Sequence, residues 1–292
     1  MRTGTPHEAA AVEAITISVI IPCHDAASTL GLQLEALASQ IDPPPFEVVV
    51  VDNRSTDFPE QVLVQHEEAL RTGGALDVRI VHAPEEAGAS YARNVGASAA
   101  RADRLVFCDA DDCVSARWLV DAVALFSRSP VFSGSAIPIE ADRFALGVDG
   151  LRELFDTPTE PAPRLVAQEE LAIPILMGGN FGIRRDLFHD LGGFDQSLPS
   201  AGEDNDLAVR VRDAVQPLQD TGSMRIAYRQ RPPGGGARSA ARRAARTHVL
   251  LCRRYGVLRY SAYVGGTRLL RSTFTLAAAA ARMLLVPSRR DA

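Results

Sequence analysis

The sequence predicts an α/β protein built on a doubly wound, mostly parallel, Rossmann-like sheet, and three observations predict it. Short β-branched runs alternate four times with helical segments before residue 113, with loops of a few residues between them. The runs are apolar at nearly every position, as strands covered on both faces require. Three of them end in polar, mainly acidic residues, and the carboxyl ends of parallel strands are where ligands gather.

Residues 1–14 are polar and alanine-rich and read as a loose tail. I-T-I-S-V-I-I-P, Ile15 to Pro22, reads as the first strand, closed by proline. Ser28 to Gln40 has helical spacing at Leu30, Leu34 and Leu37, with Ser28 or Thr29 as N-cap. F-E-V-V-V-V-D ends a second strand at Asp52. A helix over Pro59–Arg71, a strand over Val78–His82, a helix over Ala87–Ala100 and a strand over Leu105–Cys108 complete the alternation.

Beyond Ala116 the pattern predicts a helix to Ser127 and a strand in V-F-S-G-S-A-I-P. Asp142–Glu170, with its T-P-T-E-P-A-P, reads as an irregular mobile loop. I-L-M-G-G-N-F-G-I reads as a strand, R-R-D-L-F as a short helix and L-G-G-F-D-Q-S-L as a turn. G-E-D-N-D-L-A-V-R-V-R-D-A reads as a loop feeding a helix, and R-P-P-G-G-G, Arg231 to Gly236, as a joint. The organisation expected is a catalytic domain over 15–236, divided into a nucleotide-binding half (15–115) and an acceptor half (116–236). A basic helical extension occupies 237–292.

The fourth strand runs into D-A-D-D, Asp109 to Asp112. Three carboxylates within four positions repel one another, so a cation is required to hold them together. Two of the three can converge on a hard ion, and an oxygen-only donor set points to Mg2+ or Mn2+ rather than zinc.

Six stretches then stand in one order: S-V-I-I-P, V-V-V-V-D-N-R-S-T-D, G-A-S-Y-A-R-N-V-G, F-C-D-A-D-D, L-G-G-F-D and G-E-D-N-D-L. In these, from about Ile17 to about Asp213, the chain resembles glycosyltransferase family 2, enzymes of the nucleotide-diphospho-sugar transferase (A-type) fold. The resemblance implies transfer of a sugar from a nucleotide-diphosphate donor, a UDP-sugar foremost, to an acceptor hydroxyl with inversion. It implies a nucleotide and donor side made by Pro22, Asp52, Arg93 and Asp109, with Gly179 and Asn180 beside the donor sugar. Asp111, then Asp112, are the implied metal ligands. Glu203 and Asp204 match the family's E-D pair, with Asp204 as general base. Arg229 or Arg231 could clamp the diphosphate. No Q-x-x-R-W motif follows the base, which favours addition of a single sugar.

Two other functions fit the same residues less well: an inactive nucleotide-sugar binding module and a sugar nucleotidyltransferase. The intact carboxylates argue against the first. C-H-D-A-A-S lacks the glycines of a phosphate loop, which argues against the second.

Charge is divided along the chain. Residues 1–224 hold 16 Arg against 35 acidic residues, and residues 225–292 hold 15 Arg against Asp291 alone. Arg238, Arg242, Arg246 and Arg253 recur on one helical stripe, so the tail is expected on an anionic membrane surface or against the acidic body. No nucleic-acid partner is expected. The acceptor alcohol is then lipid-linked, or a small-molecule glycan or natural product. Four cysteines without metal or disulfide spacing, and no signal-like or spanning segment, give a cytoplasmic expectation, peripheral on the inner membrane face if the tail binds lipid.

Overall fold

A computed structural model describes residues 14–156, 163–168, 171–198, 202–215, 218–230 and 237–258, with 237–241 as backbone only. Its first half is the predicted alternation. β1 (Ile17–Cys23), β2 (Phe46–Asp52), β3 (Ala75–His82) and β4 (Arg104–Cys108) are separated by α1 (Ala27–Ala38), α2 (Pro59–Thr72) and α3 (Ala89–Ala99). The four strands pair in parallel in the order β3-β2-β1-β4.

Both faces of this half are covered, which explains the unbroken apolar runs. Ile17, Val19, Ile21, Val48 and Val50 face the core under α1 and α2. Ile20, Val49 and Val51 point the other way, into a second core with Ala92 and Ala97 of α3. The α1 cap is not local. The Ala27 N–H is received by Asp57 Oδ2 at 2.7 Å, while Thr29 Oγ1 donates to the Ala26 carbonyl. Ser28 and Thr29 are therefore not its N-cap, and the ends of β1 and β2 are laced together instead.

The second half is mixed. It contains β5 (Cys113–Val114), α4 (Trp118–Phe126), β6 (Val131–Glu140), a 3-10 turn (Ala141–Leu146), α5 (Gly147–Phe155), β7 (Val166–Ala167) and β8 (Asn180–Arg184). It continues through α6 (Arg185–Asp190), α7 (Glu203–Ala214), β9 (Gln219–Gln230) and α8 (Ala237–Arg254). The path of the sheet continues β4-β8-β6-β9-β5, with β7 on β9. β8 runs antiparallel to both β4 and β6, whereas β6 and β9 are parallel.

Three segments differ from expectation. The stretch expected as an irregular loop after Asp142 begins with the 3-10 turn and α5, whose Val148, Leu151 and Phe155 are buried. T-P-T-E-P-A-P lies almost wholly outside the described residues. The strand expected over I-L-M-G-G-N-F-G-I starts only at Asn180, because Gly178 and Gly179 form a turn before it. β9, the longest strand, has no counterpart among the predicted elements. Its polar residues hid it: it pairs with β6, β5 and β7, and its burial is irregular rather than continuous.

Two packing features hold the second half against the acidic edge. Phe107 of β4 stacks on Phe181 of β8 at 4.4 Å between ring centres, and Phe188 and Phe194 close over them. Truncating one such buried ring costs about 3–5 kcal/mol. The cluster therefore fixes the turn that carries Phe194 against the end of β4. Second, α8 packs on the body: Leu251 and Cys252 are buried with Ile173, Leu198 and Val209 of α7.

Candidate active site

At the carboxyl ends of β1, β2 and β4 lies a cavity of about 560 Å3. The end of β1 contributes Pro22, His24 and Asp25, and the end of β2 contributes Asn53. Arg93 of α3, Asp109 and Asp111 of the acidic loop, and Arg229 of β9 complete the wall. Strand ends gather here because each parallel strand stops at the same edge, leaving its next residues free to turn inward.

The acidic loop is held from across the sheet. The Arg229 backbone N–H donates to Asp112 Oδ1 at 3.0 Å, and its Nε donates to the Asp111 carbonyl at 2.8 Å. The Arg229 guanidinium lies 3.7 Å from the centre of the Phe144 ring. Asp109, Asp111 and Asp112 each bring an oxygen to within 4.8 Å of the others. Asp112 is 1% exposed, and its Oδ2 has no hydrogen-bond partner among the described residues. Burial, and then the neighbouring carboxylate of Asp109, push the Asp112 carboxyl up to about 8. A buried acceptor without a donor, next to two further carboxylates, is what a hard divalent cation would satisfy, so these residues fit the ion the sequence calls for.

Arg93 of α3 meets the acidic loop from the other side. It is 5% exposed, with Nη2 donating to Asp109 Oδ1 at 2.7 Å and its guanidinium 5.6 Å from the centre of the Phe194 ring. Burial alone would lower its pKa, but the charge of Asp109 and their hydrogen bond outweigh that and raise it. Arg93 and Asp109 thus form an ion pair whose arginine is buried, an arrangement in which loss of either member is expensive.

Gly178 and Gly179 owe their identity to these carboxylates. A Cβ on Gly179 would collide with the Asp109 carboxylate, and one on Gly178 would sit 3.2 Å from Asp204. At Gly179 the missing side chain makes room for the Asp109 carboxylate. Asn180 needs a correction. It is fully buried, receives the Trp118 Nε1–H at 2.8 Å, and donates to the carbonyls of Ser135 and Met224 at 2.9 and 2.8 Å. It is a strut joining β8, α4, β6 and β9, with no surface to offer a donor.

Glu203 and Asp204 open α7. Glu203 Oε2 receives the Gly202 N–H at 2.9 Å, and Asp204 Oδ1 receives the Asn205 N–H at 2.8 Å. Burial, then the charge of Glu203, push the Asp204 carboxyl up to about 6, against the opposing pull of backbone N–H groups and Arg93. Such a value suits a group that takes a proton near neutral pH.

Asp52 ends β2 but is not among the residues lining the cavity. Its Oδ1 receives the Ser55 N–H at 3.0 Å and its Oδ2 lies 3.3 Å from His82 Nδ1. Burial raises its pKa, and the Ser55 and His82 contacts more than reverse that, leaving it lowered. Arg231 lies outside the described residues. His24, Asp25 and Asn53 line the cavity although sequence reasoning gave them no role. Their position directly after two predicted strands was the signal available. Asn53 also ties the β2 end to the next loop, donating to the Ala83 and Glu86 carbonyls and receiving the Gly88 N–H at 2.8 Å.

A parallel α/β half ending in an acidic loop, joined to a mixed half with a second acidic pair, defines a Rossmann-like protein of the glycosyltransferase A-type fold. Solved structures share it. The mannosyltransferase PcManGT from Pyrobaculum calidifontis, solved with GDP-Man and Mn2+, superposes with a TM-score of 0.66 at 21% identity, over 97% of this chain and 80% of that one. S. aureus TarS 1-349, solved with UDP-GlcNAc, gives 0.58 at 19% identity, over 87% and 76%.

The chain belongs to glycosyl transferase family 2, whose model matches residues 18–192. Among curated relatives, an uncharacterized glycosyltransferase of Haemophilus influenzae is 25% identical over 198 residues, 67% of this chain and 61% of that protein. The pre-mycofactocin glycosyltransferase of Mycobacterium tuberculosis (strain H37Rv) is 26% identical over 203 residues, 68% of this chain and 39% of that protein. The chain thus spans less than two thirds of the length of these relatives. Among the described residues, no helix is long and apolar enough to cross a membrane.

Proposed function

We propose that this protein is a metal-dependent, inverting glycosyltransferase that moves one sugar from a nucleotide-diphosphate donor, a UDP-sugar foremost, to an acceptor hydroxyl. The observation that carries the reading is the buried, unpartnered Asp112 Oδ2 beside Asp109 and Asp111, with Arg93 between that cluster and Glu203–Asp204.

Asp111 and Asp112 would hold Mg2+ or Mn2+, with Asp109 alongside. The ion, when bound, supplies charge neutralisation to the departing nucleoside diphosphate. Pro22 and Asp52 stand on the nucleotide side, Asp52 as an acceptor for a base N–H or a ribose hydroxyl. Arg93 fixes Asp109 and excludes water from the floor of the cleft. Arg229 orients the acidic loop through its backbone N–H and guanidinium. Asp204 takes the proton of the acceptor hydroxyl as that oxygen attacks the anomeric carbon, a contribution of roughly 10²–10⁴ in rate. Attack from the base side, with departure on the diphosphate side, inverts the anomeric centre. The residues that touch donor, ion and acceptor lie within 15–236, preceded by 1–14 and followed by the basic extension 237–292.

The exposed arginines of α8, among them Arg242, Arg246 and Arg253, support a second element of the reading. They suit an anionic membrane surface, and with it an acceptor carried on a lipid. The deciding experiment is a donor screen with purified protein and Mn2+, reading nucleoside diphosphate release from UDP- and GDP-sugars. Release from none of them, with and without candidate acceptor alcohols, would overturn the proposal.

A further inference from the structure

We infer that α8 belongs to the catalytic machinery, with Arg254 and Tyr255 as positioning residues for the Glu203–Asp204 pair. The inference rests on Asp204 acting as the base.

α7 begins with that pair and turns inward at Asp206, whose side chain is 1% exposed. A carboxylate buried so deeply must be matched by donors. Its Oδ2 receives Arg210 Nε from its own helix at 2.9 Å. Its Oδ1 receives the Tyr255 hydroxyl at 2.6 Å and Arg254 Nη1 at 3.0 Å. One of the two oxygens of this carboxylate is therefore satisfied from the end of α8.

The same Arg254 Nη1 donates to Asp195 Oδ2 at 2.6 Å. Asp195 closes the L-G-G-F-D turn, and Phe194 in that turn exchanges two hydrogen bonds with the Asn94 amide, at 2.8 and 2.9 Å. Asn94 follows Arg93, which lies over the Phe194 ring. Arg254 thus completes a continuous series of contacts from the cation holding Asp109 to the helix carrying the base.

The backbone entering α7 leans on α8 as well. Gly202 has φ +138°, and a Cβ there would meet Thr247 Cγ2 at 2.6 Å. The direction in which Glu203 and Asp204 enter α7 is set between the Thr247 contact on one side and Asp206 on the other. Misplacing a reacting group by about 1 Å costs on the order of 100-fold in rate. These contacts involve residues beyond 192, where the family match ends.

The test uses the full chain and three variants: Tyr255→Phe, which deletes one hydroxyl; Arg254→Ala; and Arg254→Lys, which keeps the charge. Amide hydrogen exchange is followed over 203–208. Nucleoside diphosphate release is measured with UDP-glucose, UDP-GlcNAc and GDP-mannose. We expect Tyr255→Phe and Arg254→Ala to slow release about tenfold or more, with donor KM within about twofold of the parent. Exchange at 203–208 should quicken while amides of β1 and β4 stay protected, and Arg254→Lys should recover most of both losses. Unchanged exchange at 203–208 would overturn the inference, as would a loss of donor affinity parallel to the loss of release. If the parent releases nucleotide from none of the three donors, the transfer reading fails and the exchange measurement alone decides the role of α8.

Discussion

Arg93 Nη2 lies 2.7 Å from Asp109 Oδ1, in a pair whose arginine side chain is 6% exposed and whose aspartate is 31% exposed. The pair joins α3 to the acidic loop, so neither partner can be removed alone without cost. Arg93→Met should destabilise the fold by about 3–5 kcal/mol. The double variant Arg93→Met with Asp109→Asn should recover a large part of that, because no unpaired charge remains. Urea unfolding of both single variants and the double gives the coupling directly.

Asp111 supplies an oxygen to the same cluster but shares less of its burial, so its loss should spare the fold and remove the cation. Asp111→Asn should abolish transfer and weaken nucleoside diphosphate binding in Mn2+ by about tenfold or more. Excess chelator should silence the parent protein. Calorimetric titration of UDP with and without Mn2+ measures the binding, and full activity in chelator would contradict it.

Asp204 should show a different signature. Asp204→Asn should leave donor affinity intact and lower turnover by roughly 10²–10⁴. The base works deprotonated and its carboxyl is raised to about 6, so the rate should fall as pH drops through that value and level off above it. The variant should lack this acid limb. NMR of the new linkage should show inverted anomeric configuration.

Asn180→Ala tests whether that residue is a strut or a ligand contact. It leaves the Trp118 Nε1–H and two carbonyls without their partner, at about 1–3 kcal/mol for the indole N–H alone. Thermal melting should fall accordingly, with donor affinity at low temperature unchanged. A lost donor affinity in a stable variant would restore Asn180 to the binding site.

For the tail, each arginine near an anionic bilayer contributes on the order of 1 kcal/mol, screened by salt. Cosedimentation with anionic vesicles should be strong at low salt, weak at high salt and absent with neutral vesicles. α8 spends Arg254 on Asp195 and Asp206 while Arg242, Arg246 and Arg253 stay exposed. Replacing those three with glutamine should therefore weaken sedimentation without lowering the melting temperature. Truncation would confuse the two effects.

The parallel half was legible because β1, β2 and β4 are largely apolar and buried and α1 carries its leucines at helical spacing. Asp109, Asp111 and Asp112 were legible because a strand end is a poor place for three acids. The elements that escaped detection had a different physical basis. β9 is half polar, and long-range pairing with β6 rather than its own composition makes it a strand. α5 announces itself only through Val148, Leu151 and Phe155, beside a proline-rich stretch whose turn signals dominate the local pattern. Asn180 looked like a ligand contact because a strand-end amide beside glycines can be one. Its three partners come from segments 44 to 62 residues away. No local pattern announces that.

The tie between Asp112 and Arg229 spans 117 residues of sequence. At roughly 5–20 residues per second of synthesis, the acidic loop emerges from the ribosome some 6–23 seconds before the strand that fastens it. Through that interval β1 to β4 can assemble, since all four strands precede Asp112 in the chain, while Asp112 has neither its backbone donor nor the guanidinium behind it. The cleft is therefore finished last and from the C-terminal side. A nascent chain stalled before β9 would hold a formed parallel sheet with an open acidic edge, leaving chaperones or free divalent ions to shield it until translation resumes.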